Sequence, residues 1–424
     1  MKKLVHILSI SLLTLIGCAE VKTDPVVDSY LSGLLENRNF FKLRAELANA
    51  QSKLSEDRLL YYRMHCEQVF GNGLQSNKSA DRLLSKYKSR LNDTIVAEIL
   101  NVKAGNYVHS YLYKEAAEMY GILLTITSDS LTIAAYQNLQ ALFGTLATVK
   151  PQQMHLHKNA ELKAYRNRFN HLMTPVRCGD RTDEFIFDSG ANLSTVSDSC
   201  ATKMGWTILE SDIEVGTATD IKIRTKLAVA DSLYVGDILF ENVVFLVTPA
   251  EQMTFPSVNY EIHGVIGFPV FRQMGEIRVR KDGTMLIPQE PENRQLGNMF
   301  LHGLNPVVQL ISGSDTLLLV MDTGAKSSEL SRKYYEAHKA EVEQKGKLQT
   351  AMRGGGGGVV EVEEYKLPDF PYQIGNSHNL LPEISVNLQD YSFHKSFDGS
   401  LGQDVIMQFS EMILNFQHMY VDFE

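Results

Sequence analysis

The chain has 424 residues, which is too long for one compact core and predicts two or three domains. Hydrophobic residues make up 44% of the chain and charged residues 21%, so the composition excludes a disordered chain, a collagen-like chain and a protein built from repeated membrane spans. The formal net charge of -9 argues against nucleic acid as a partner, because proteins that bind nucleic acid concentrate lysine and arginine.

The first eighteen residues have the layout of an export signal. Lys2 and Lys3 precede an apolar run at residues 4–16, which is too short to span a bilayer and is typical of a secretory signal peptide. Residues 15–18, Leu-Ile-Gly-Cys, resemble the lipobox of bacterial lipoproteins, whose cysteine is lipidated. The resemblance implies an exported protein that Cys18 anchors to the bacterial cell envelope, on the periplasmic face or the cell surface. An ordinary signal peptide that happens to contain a cysteine is the alternative.

The other cysteines do not suggest a metal centre. Cys66, Cys178 and Cys200 are odd in number and lack CxxC or metal-ligand spacing. One disulfide is compatible with this set, but buried or unpaired thiols are favoured, and nothing indicates a cysteine nucleophile. We therefore predict no metal site and no cofactor.

Residues 19–165 are predicted to form a helical domain. No proline occurs between Pro25 and Pro151, and apolar residues recur there at three- and four-residue spacing, as helices require. The segment at residues 111–124 resembles one helix of a tetratricopeptide-type (TPR-like) pair, although a clean 34-residue repeat is missing. A helical-hairpin array of this kind would serve either as a docking surface for proteins or as a packing platform for the next domain.

After about residue 170 the pattern changes to short apolar runs broken by glycine, aspartate and asparagine, which indicates strands and turns. The predicted fold class is therefore multi-domain α+β, with a helical domain followed by a mainly β region.

The β region contains an internal repeat. The sequence FIFDSGANLSTVS at residues 185–197 resembles the sequence LLLVMDTGAKSSELS at residues 317–331. Each motif is followed by a hydrophobic-hydrophobic-glycine element. Gly267 lies 79 residues after Asp188, and Gly402 lies 80 residues after Asp322. A duplicated unit of roughly 130 residues explains this spacing. We call residues 170–290 the first lobe and residues 295–424 the second lobe.

The paired DSGA and DTGA motifs, each with its downstream glycine element, resemble those of aspartic peptidases of the retropepsin and pepsin type over residues 170–424. The resemblance implies that two small β lobes bring Asp188 and Asp322 together across a pseudo-two-fold axis. It also implies an aspartic endopeptidase that acts on peptide or protein substrates. Because both catalytic aspartates belong to one chain, we predict a monomer. The implied supporting residues are Ser189, Gly190, Thr323, Gly324, Gly267 and Gly402.

The chemistry of such a pair follows from its charges. Two carboxylates in close contact cannot both ionise at low cost, so they share one proton and provide one base and one acid. The base can take a proton from a water molecule while the acid polarises the peptide carbonyl. Glycine lets the two loops approach closely. In the family, the hydroxyl of Ser189 or Thr323 would bond across to the opposite loop.

A cover for the substrate cleft is predicted about thirty residues after each aspartate. The candidates are the segments VGTAT at residues 215–219 and RGGGGG at residues 353–358, because mobile glycines suit a hairpin flap. The flap glycines proposed on this basis are Gly216, Gly354, Gly355 and Gly356. A plain flexible connection is the alternative for the glycine run. Neither segment has the flap tyrosine of pepsin-like enzymes.

Two other functions compete with peptidase activity. Asp322, Gly324 and Ser327 fit loosely the phosphate loop of actin-like sugar kinases and ATPases, but an exported protein would meet little ATP, and no adenosine-binding glycine motif follows. The second alternative is a catalytically inactive peptide- or protein-binding lipoprotein that keeps the protease fold.

Overall fold

The computed structural model describes residues 21–217, 219–355, 358–391 and 396–424. The predicted signal peptide and Cys18 lie outside the described residues. A helical region comes first and a β-rich region with several sheets follows, which confirms the predicted α+β fold class. Among the described residues, no helix is long and apolar enough to cross a membrane.

The N-terminal region consists of helices that each pack against the next one along the chain. Several of them begin at a capping side chain. For example, the side-chain oxygen Oδ1 of Asn92 accepts a hydrogen bond from the Ile95 N–H at 2.9 Å. The helices are α1 (Pro25–Glu36), α2 (Phe40–Ala50), α3 (Glu56–Val69), α4 (Gly73–Lys86), α5 (Asp93–His109), α6 (Tyr113–Ile126) and α7 (Ser130–Thr145), with short 3-10 helices at Gln51–Lys53 and Lys88–Arg90. The TPR-like character of this array stays a prediction.

The first lobe and the segment before it form strands with two intervening helices. These elements are β1 (Gln153–His155), β2 (Ala160–Leu162), β3 (Tyr165–Arg166), β4 (Leu172–Cys178), β5 (Arg181–Phe187), β6 (Ser194–Ser197), α8 (Asp198–Met204), β7 (Thr207–Gly216), β8 (Lys222–Val235), β9 (Ile238–Thr248), β10 (Thr254–Phe255), β11 (Tyr260–Glu261), β12 (Gly264–Ile266), α9 (Phe268–Met274), β13 (Glu276–Arg280) and β14 (Met285–Ile287). Short 3-10 helices lie at Ala250–Met253 and Pro256–Val258.

The predicted helical range, residues 19–165, needs a correction at its end. The last helix of this range ends at Thr145, and β1 and β2 pair instead with β9 and β14 of the β region. Pro151 prevents a continuous helix from reaching these residues. The open edges of β9 and β14 then supply the hydrogen-bond partners that make the segment extended.

The strands of the first lobe close into a barrel. Going round it, β4 pairs with β5, then β12, β6, β9 and β8 follow in order, and β8 pairs again with β4. The pairs β5–β12 and β6–β9 are parallel, whereas the others are antiparallel. Phe185 and Phe187 of β5 are fully buried inside this lobe. The barrel therefore carries Asp188 directly after a buried strand.

The second lobe contains a corresponding series of elements. They are β15 (Met299–His302), β16 (Asn305–Ser312), β17 (Asp315–Met321), β18 (Glu329–Leu330), α10 (Arg332–Ala337), α11 (Lys339–Lys345), β19 (Lys347–Gly355), β20 (Gly358–Ile374), β21 (Ser377–Asn387), β22 (Gly399–Leu401), α12 (Gln403–Ile406), β23 (Glu411–Asn415) and β24 (Tyr420–Phe423).

The second lobe repeats the barrel of the first lobe. Here β16 pairs with β17, then β22, β18, β21 and β20 follow, and β20 pairs again with β16. The parallel pairs are β17–β22 and β18–β21, at the positions that correspond to β5–β12 and β6–β9. The two lobes thus share one strand order and one set of directions, as an internal duplication requires.

A separate sheet joins the lobes. Strand β13 of the first lobe pairs antiparallel with β23 of the second, with Glu276 opposite Asn415 and Arg280 opposite Glu411. Strands β14 and β24 extend this sheet on either side, and β2 completes one edge. One buried apolar cluster runs through both lobes, so their relative position is set by a common core.

The helical region packs against both lobes. Apolar residues of α5–α7 share a buried cluster with Ile213, Leu227 and Val244 of the first lobe. Residues of α1–α5 share another cluster with Phe300 and Val320 of the second lobe. These contacts favour the packing-platform interpretation of the helices.

Candidate active site

The two motif aspartates occupy equivalent places at the ends of buried strands. Asp188 follows β5 and its N–H donates to the Ile266 carbonyl at 3.0 Å, while the Asp322 N–H, after β17, donates to the Leu401 carbonyl at 3.0 Å. In each lobe the hydrophobic-hydrophobic-glycine element therefore forms the strand beside the aspartate loop. This arrangement leads both loops to the interface between the lobes.

At that interface the carboxyl groups of Asp188 and Asp322 meet; each packs against the glycine of the opposite loop, and each influences the ionisation of the other. The Gly190 N–H donates to Asp188 Oδ1 at 2.8 Å, and the Gly324 and Ala325 N–H groups donate to Asp322 Oδ1, each at 2.9 Å. Each carboxyl is thus held by the backbone of its own loop. The sequence-predicted pair is brought together in one chain.

Burial changes the protonation of this pair. Burial raises the pKa of Asp188, and burial together with the charge of Asp188 raises the pKa of Asp322 well above its ordinary value. The backbone N–H groups act in the opposite direction, because they favour the ionised form. The pair titrates jointly and retains a proton that an isolated carboxyl would lose.

Two buried hydroxyls tie the loops together. Ser189 Oγ donates to the Met321 carbonyl at 2.9 Å, and Thr323 Oγ1 donates to the Phe187 carbonyl at 3.0 Å. Each hydroxyl also accepts a hydrogen bond from the N–H of the other residue. Every one of these bonds crosses between the lobes, so each loop is positioned by the opposite one.

Because the motif glycines have no side chain, the carboxyl groups can occupy the space beside them. A Cβ at Gly190 would lie 2.6 Å from Asp322 Cγ, and a Cβ at Gly324 would lie 2.3 Å from Asp188 Cγ. Gly267 and Gly402 lie under the loops, where a Cβ would come within 2.7 Å of backbone atoms. A side chain at any of these positions would push the loops apart.

Some supporting residues are missed by the sequence reasoning. Ser194 Oγ accepts the Gly267 N–H at 3.0 Å, and Ser328 Oγ accepts the Gly402 N–H at 2.9 Å. The sequence does contain a pattern that marks these two serines, since each one lies six residues after its motif aspartate. The Gln403 side chain donates to the Thr323 carbonyl at 2.5 Å, and no sequence pattern marks that residue.

The predicted flap segments form the ends of two equivalent hairpins. Gly216 is the last residue of β7 and pairs with Lys222 of β8. In the second lobe Gly354 and Gly355 end β19 and pair with residues of β20, whereas Gly356 lies outside the described residues. The strand ladder reaches the glycines, so the segment at 353–355 is part of a hairpin and not a plain connection.

The remaining cysteines carry free thiols in the described part of the chain. Burial raises the pKa of the Cys66 thiol and of the Cys200 thiol to about 12 in each case. Neither residue is therefore a thiolate nucleophile at neutral pH.

Comparison with known proteins shows that part of the first lobe resembles a protein family. The aspartyl protease family model matches residues 174–270, which include Asp188 and Gly267 but not Asp322. No curated protein matches this sequence significantly. Solved structures that resemble the chain include basic 7S globulin from soybean, with 9% identity, a TM-score of 0.40, and coverage of 63% of this chain and 95% of that chain. That TM-score is too low to establish a shared fold.

Residues 174–270 are thus similar to the aspartyl protease family, and the second lobe repeats the strand order of the matched segment around a second Asp-Thr-Gly loop.

Proposed function

We propose that this protein is an aspartic endopeptidase that hydrolyses peptide bonds with a water molecule activated by Asp188 and Asp322. The observation that carries the proposal is that these two carboxyl groups, one from each lobe, meet at the lobe interface, where each packs against the glycine of the opposite loop. The cross-loop hydroxyl bonds give further support, because they hold the pair in a fixed geometry before substrate binds.

In the proposed mechanism, the ionised carboxylate of the pair takes a proton from a bound water, and the water oxygen attacks the peptide carbonyl carbon. The protonated carboxyl donates a hydrogen bond to the carbonyl oxygen, on which negative charge develops. The tetrahedral intermediate then collapses as the C–N bond breaks and a carboxyl proton passes to the leaving nitrogen. One carboxyl acts as base and the other as acid, so no covalent enzyme intermediate forms.

The proposal extends to location and assembly. We propose that the chain is exported, anchored to the bacterial cell envelope through lipidated Cys18, and active as a monomer on peptide or protein substrates. The basis for the anchor is the sequence at residues 15–18. The basis for a monomer is that both aspartates belong to one chain.

The test uses the purified full chain and an unfolded, fluorescently labelled protein as substrate. Wild type should cleave it, and Asp188→Asn and Asp322→Asn should each lower the rate by about 10³-fold or more, because each removes one partner of the acid-base pair. The control is Asp231→Asn, at an exposed position on β8, which should cleave like wild type. Circular dichroism should show that all variants remain folded.

Full cleavage by either active-site variant would rule out the paired-carboxylate mechanism. Binding of the substrate by wild type without any cleavage, over the whole acidic and neutral range, would favour the inactive peptide-binding alternative.

A further inference from the structure

Arg353 lies near the end of the second-lobe hairpin, where it pairs with Val360 across β19 and β20. Its guanidinium donates to the carboxylate of Glu329, which stands on β18 just after the Asp322 loop. The same guanidinium lies over the ring of Tyr391, at 4.1 Å from the ring centroid. An ion pair therefore attaches the hairpin to strand β18 of its own lobe.

Other titratable groups act on the guanidinium through their charge, in the decreasing order Tyr391, Glu364, Asp322 and Asp220, while burial lowers the pKa of Arg353. The charge of Arg353 is therefore offset mainly by groups of its own lobe.

The burial of the Arg353–Glu329 pair distinguishes it from other ion pairs on the hairpins. The side chains of Arg353 and Glu329 are only 16% and 15% exposed. In the pair Arg224–Asp212 on the first hairpin, both side chains are 68% exposed. Water screens the exposed pair, so it contributes little, whereas replacing Arg353 removes a charged partner from the buried carboxylate of Glu329.

We propose that Arg353 is a positioning residue, a latch that holds the end of the second-lobe hairpin against β18 through its ion pair with Glu329. Under the proposed peptidase function this hairpin would cover the bound peptide, so the latch would stabilise the covered complex. The catalytic part of the inference rests on the proposed peptidase function. The mechanical part, that Arg353 holds the second hairpin, does not.

The mechanical part is tested by amide hydrogen exchange on the unliganded full chain. We expect Arg353→Met to increase exchange about tenfold in residues 349–355 and 358–362, because local opening of the second hairpin becomes easier. Glu329→Gln should increase exchange mainly in the second hairpin. The matched control is Arg332→Met, which removes an arginine from an exposed ion pair with Glu336 on α10.

The control should exchange like wild type at both hairpins. Exchange in Arg353→Met that equals wild type would overturn the latch. If Arg353→Met does not fold, Glu329→Gln decides the question by the same measurement in the second hairpin.

A charge exchange tests the ion pair directly. The double variant Arg353→Glu with Glu329→Arg restores an ion pair between the hairpin and β18. We expect it to recover protection in the second hairpin relative to Arg353→Glu alone. Equal exchange in the single and double variants would show that the Glu329 contact does not hold the hairpin.

The catalytic part is tested with the peptide substrate of the wild-type enzyme. Arg353→Met should raise KM about tenfold and leave kcat within about threefold, because the latch stabilises the covered complex and does not enter the chemical step. Arg353→Lys, which keeps the charge but loses the planar fork, should fall between wild type and Arg353→Met. A KM that is unchanged or lower in Arg353→Met would overturn the positioning role.

These outcomes separate the latch from the peptidase proposal. A wild-type chain that cleaves nothing would contradict the peptidase function. Hydrogen exchange would still decide whether Arg353 holds the second hairpin. A wild-type chain that cleaves, with normal exchange and normal KM in Arg353→Met, would refute the latch alone.

Discussion

Ser189 and Thr323 hydrogen bond to each other's loops in a reciprocal way across the two lobes. The Ser189 N–H donates to Thr323 Oγ1 at 2.9 Å, and the Thr323 N–H donates to Ser189 Oγ at 3.1 Å. Both residues are buried, at 0% and 2% exposure. The aspartates next to them are therefore fixed by contacts that neither lobe could make alone.

Removing either hydroxyl should weaken the fold and the site together. Ser189→Ala and Thr323→Val each leave two backbone groups of the opposite loop without a partner, which should cost about 1–3 kcal/mol of unfolding free energy. Urea unfolding measures this loss. Because the two hydroxyls form one network, the double variant should lose less than the sum of the single losses. No loss at all would show that the cross-loop bonds do not hold the lobes, and strict additivity would show that the two hydroxyls do not form one network.

The stability of the protein should depend on pH through the aspartate pair. The folded protein raises the pKa of both carboxyls, so folding favours their neutral form. This stabilisation is fully present below the pKa of an unfolded aspartate, about 3.9, and is lost as the pH rises through the raised pKa of the pair. In the Asp322→Asn variant the side chain at this position is an amide, which does not ionise. Its unfolding free energy relative to wild type should therefore increase as the pH rises above about 4.

Urea unfolding of wild type and Asp322→Asn across the acidic and neutral range provides the comparison, with Asp231→Asn as a control that should follow wild type. A difference between wild type and Asp322→Asn that stays constant with pH would mean that the pair does not keep its proton. The cleavage rate should decline over the same range in which the shared proton leaves.

Alanine at the motif glycines should abolish cleavage. The new Cβ of Gly190→Ala or Gly324→Ala would overlap the opposite carboxyl, so the pair must separate, and the rate should fall by at least about 100-fold. Gly33→Ala, on helix α1, is a matched control, since no atom lies within 4 Å of its Cβ position. It should cleave within about threefold of wild type. A fully active Gly324→Ala variant would contradict the observed closeness of the loops.

The contact between α7 and the first hairpin should be sensitive to one side chain. Asn138 donates from Nδ2 to the Glu214 carbonyl at 2.7 Å and accepts the Glu214 N–H at Oδ1 at 2.9 Å, so it satisfies both backbone groups at the edge of β7. Asn138→Ala should lower the unfolding free energy by about 1–2 kcal/mol and speed amide exchange at residues 213–215. Gln137→Ala, at the exposed neighbouring position, should change neither quantity. Unchanged exchange in Asn138→Ala would show that α7 does not hold the hairpin.

The amino-acid sequence by itself determined the division into helices and strands and the positions of the paired motifs. Proline-free helical periodicity, short apolar strands and the equal spacing from Asp188 to Gly267 and from Asp322 to Gly402 are local or repeated patterns. They could be read without coordinates, because secondary structure and loop chemistry depend mainly on neighbouring residues. The resemblance of the motifs then suggested that the two aspartates meet.

Only the tertiary structure decided which distant groups surround the pair. Nothing local to Arg353 shows that it reaches Glu329, and nothing local to Asn138 shows that it pairs with the backbone of Glu214. The strands β1 and β2 likewise depend on the open edges of β9 and β14. Such contacts result from the packing of whole lobes and helices, so the protonation of Asp188 and Asp322 and the attachment of the hairpins are properties of the assembled chain.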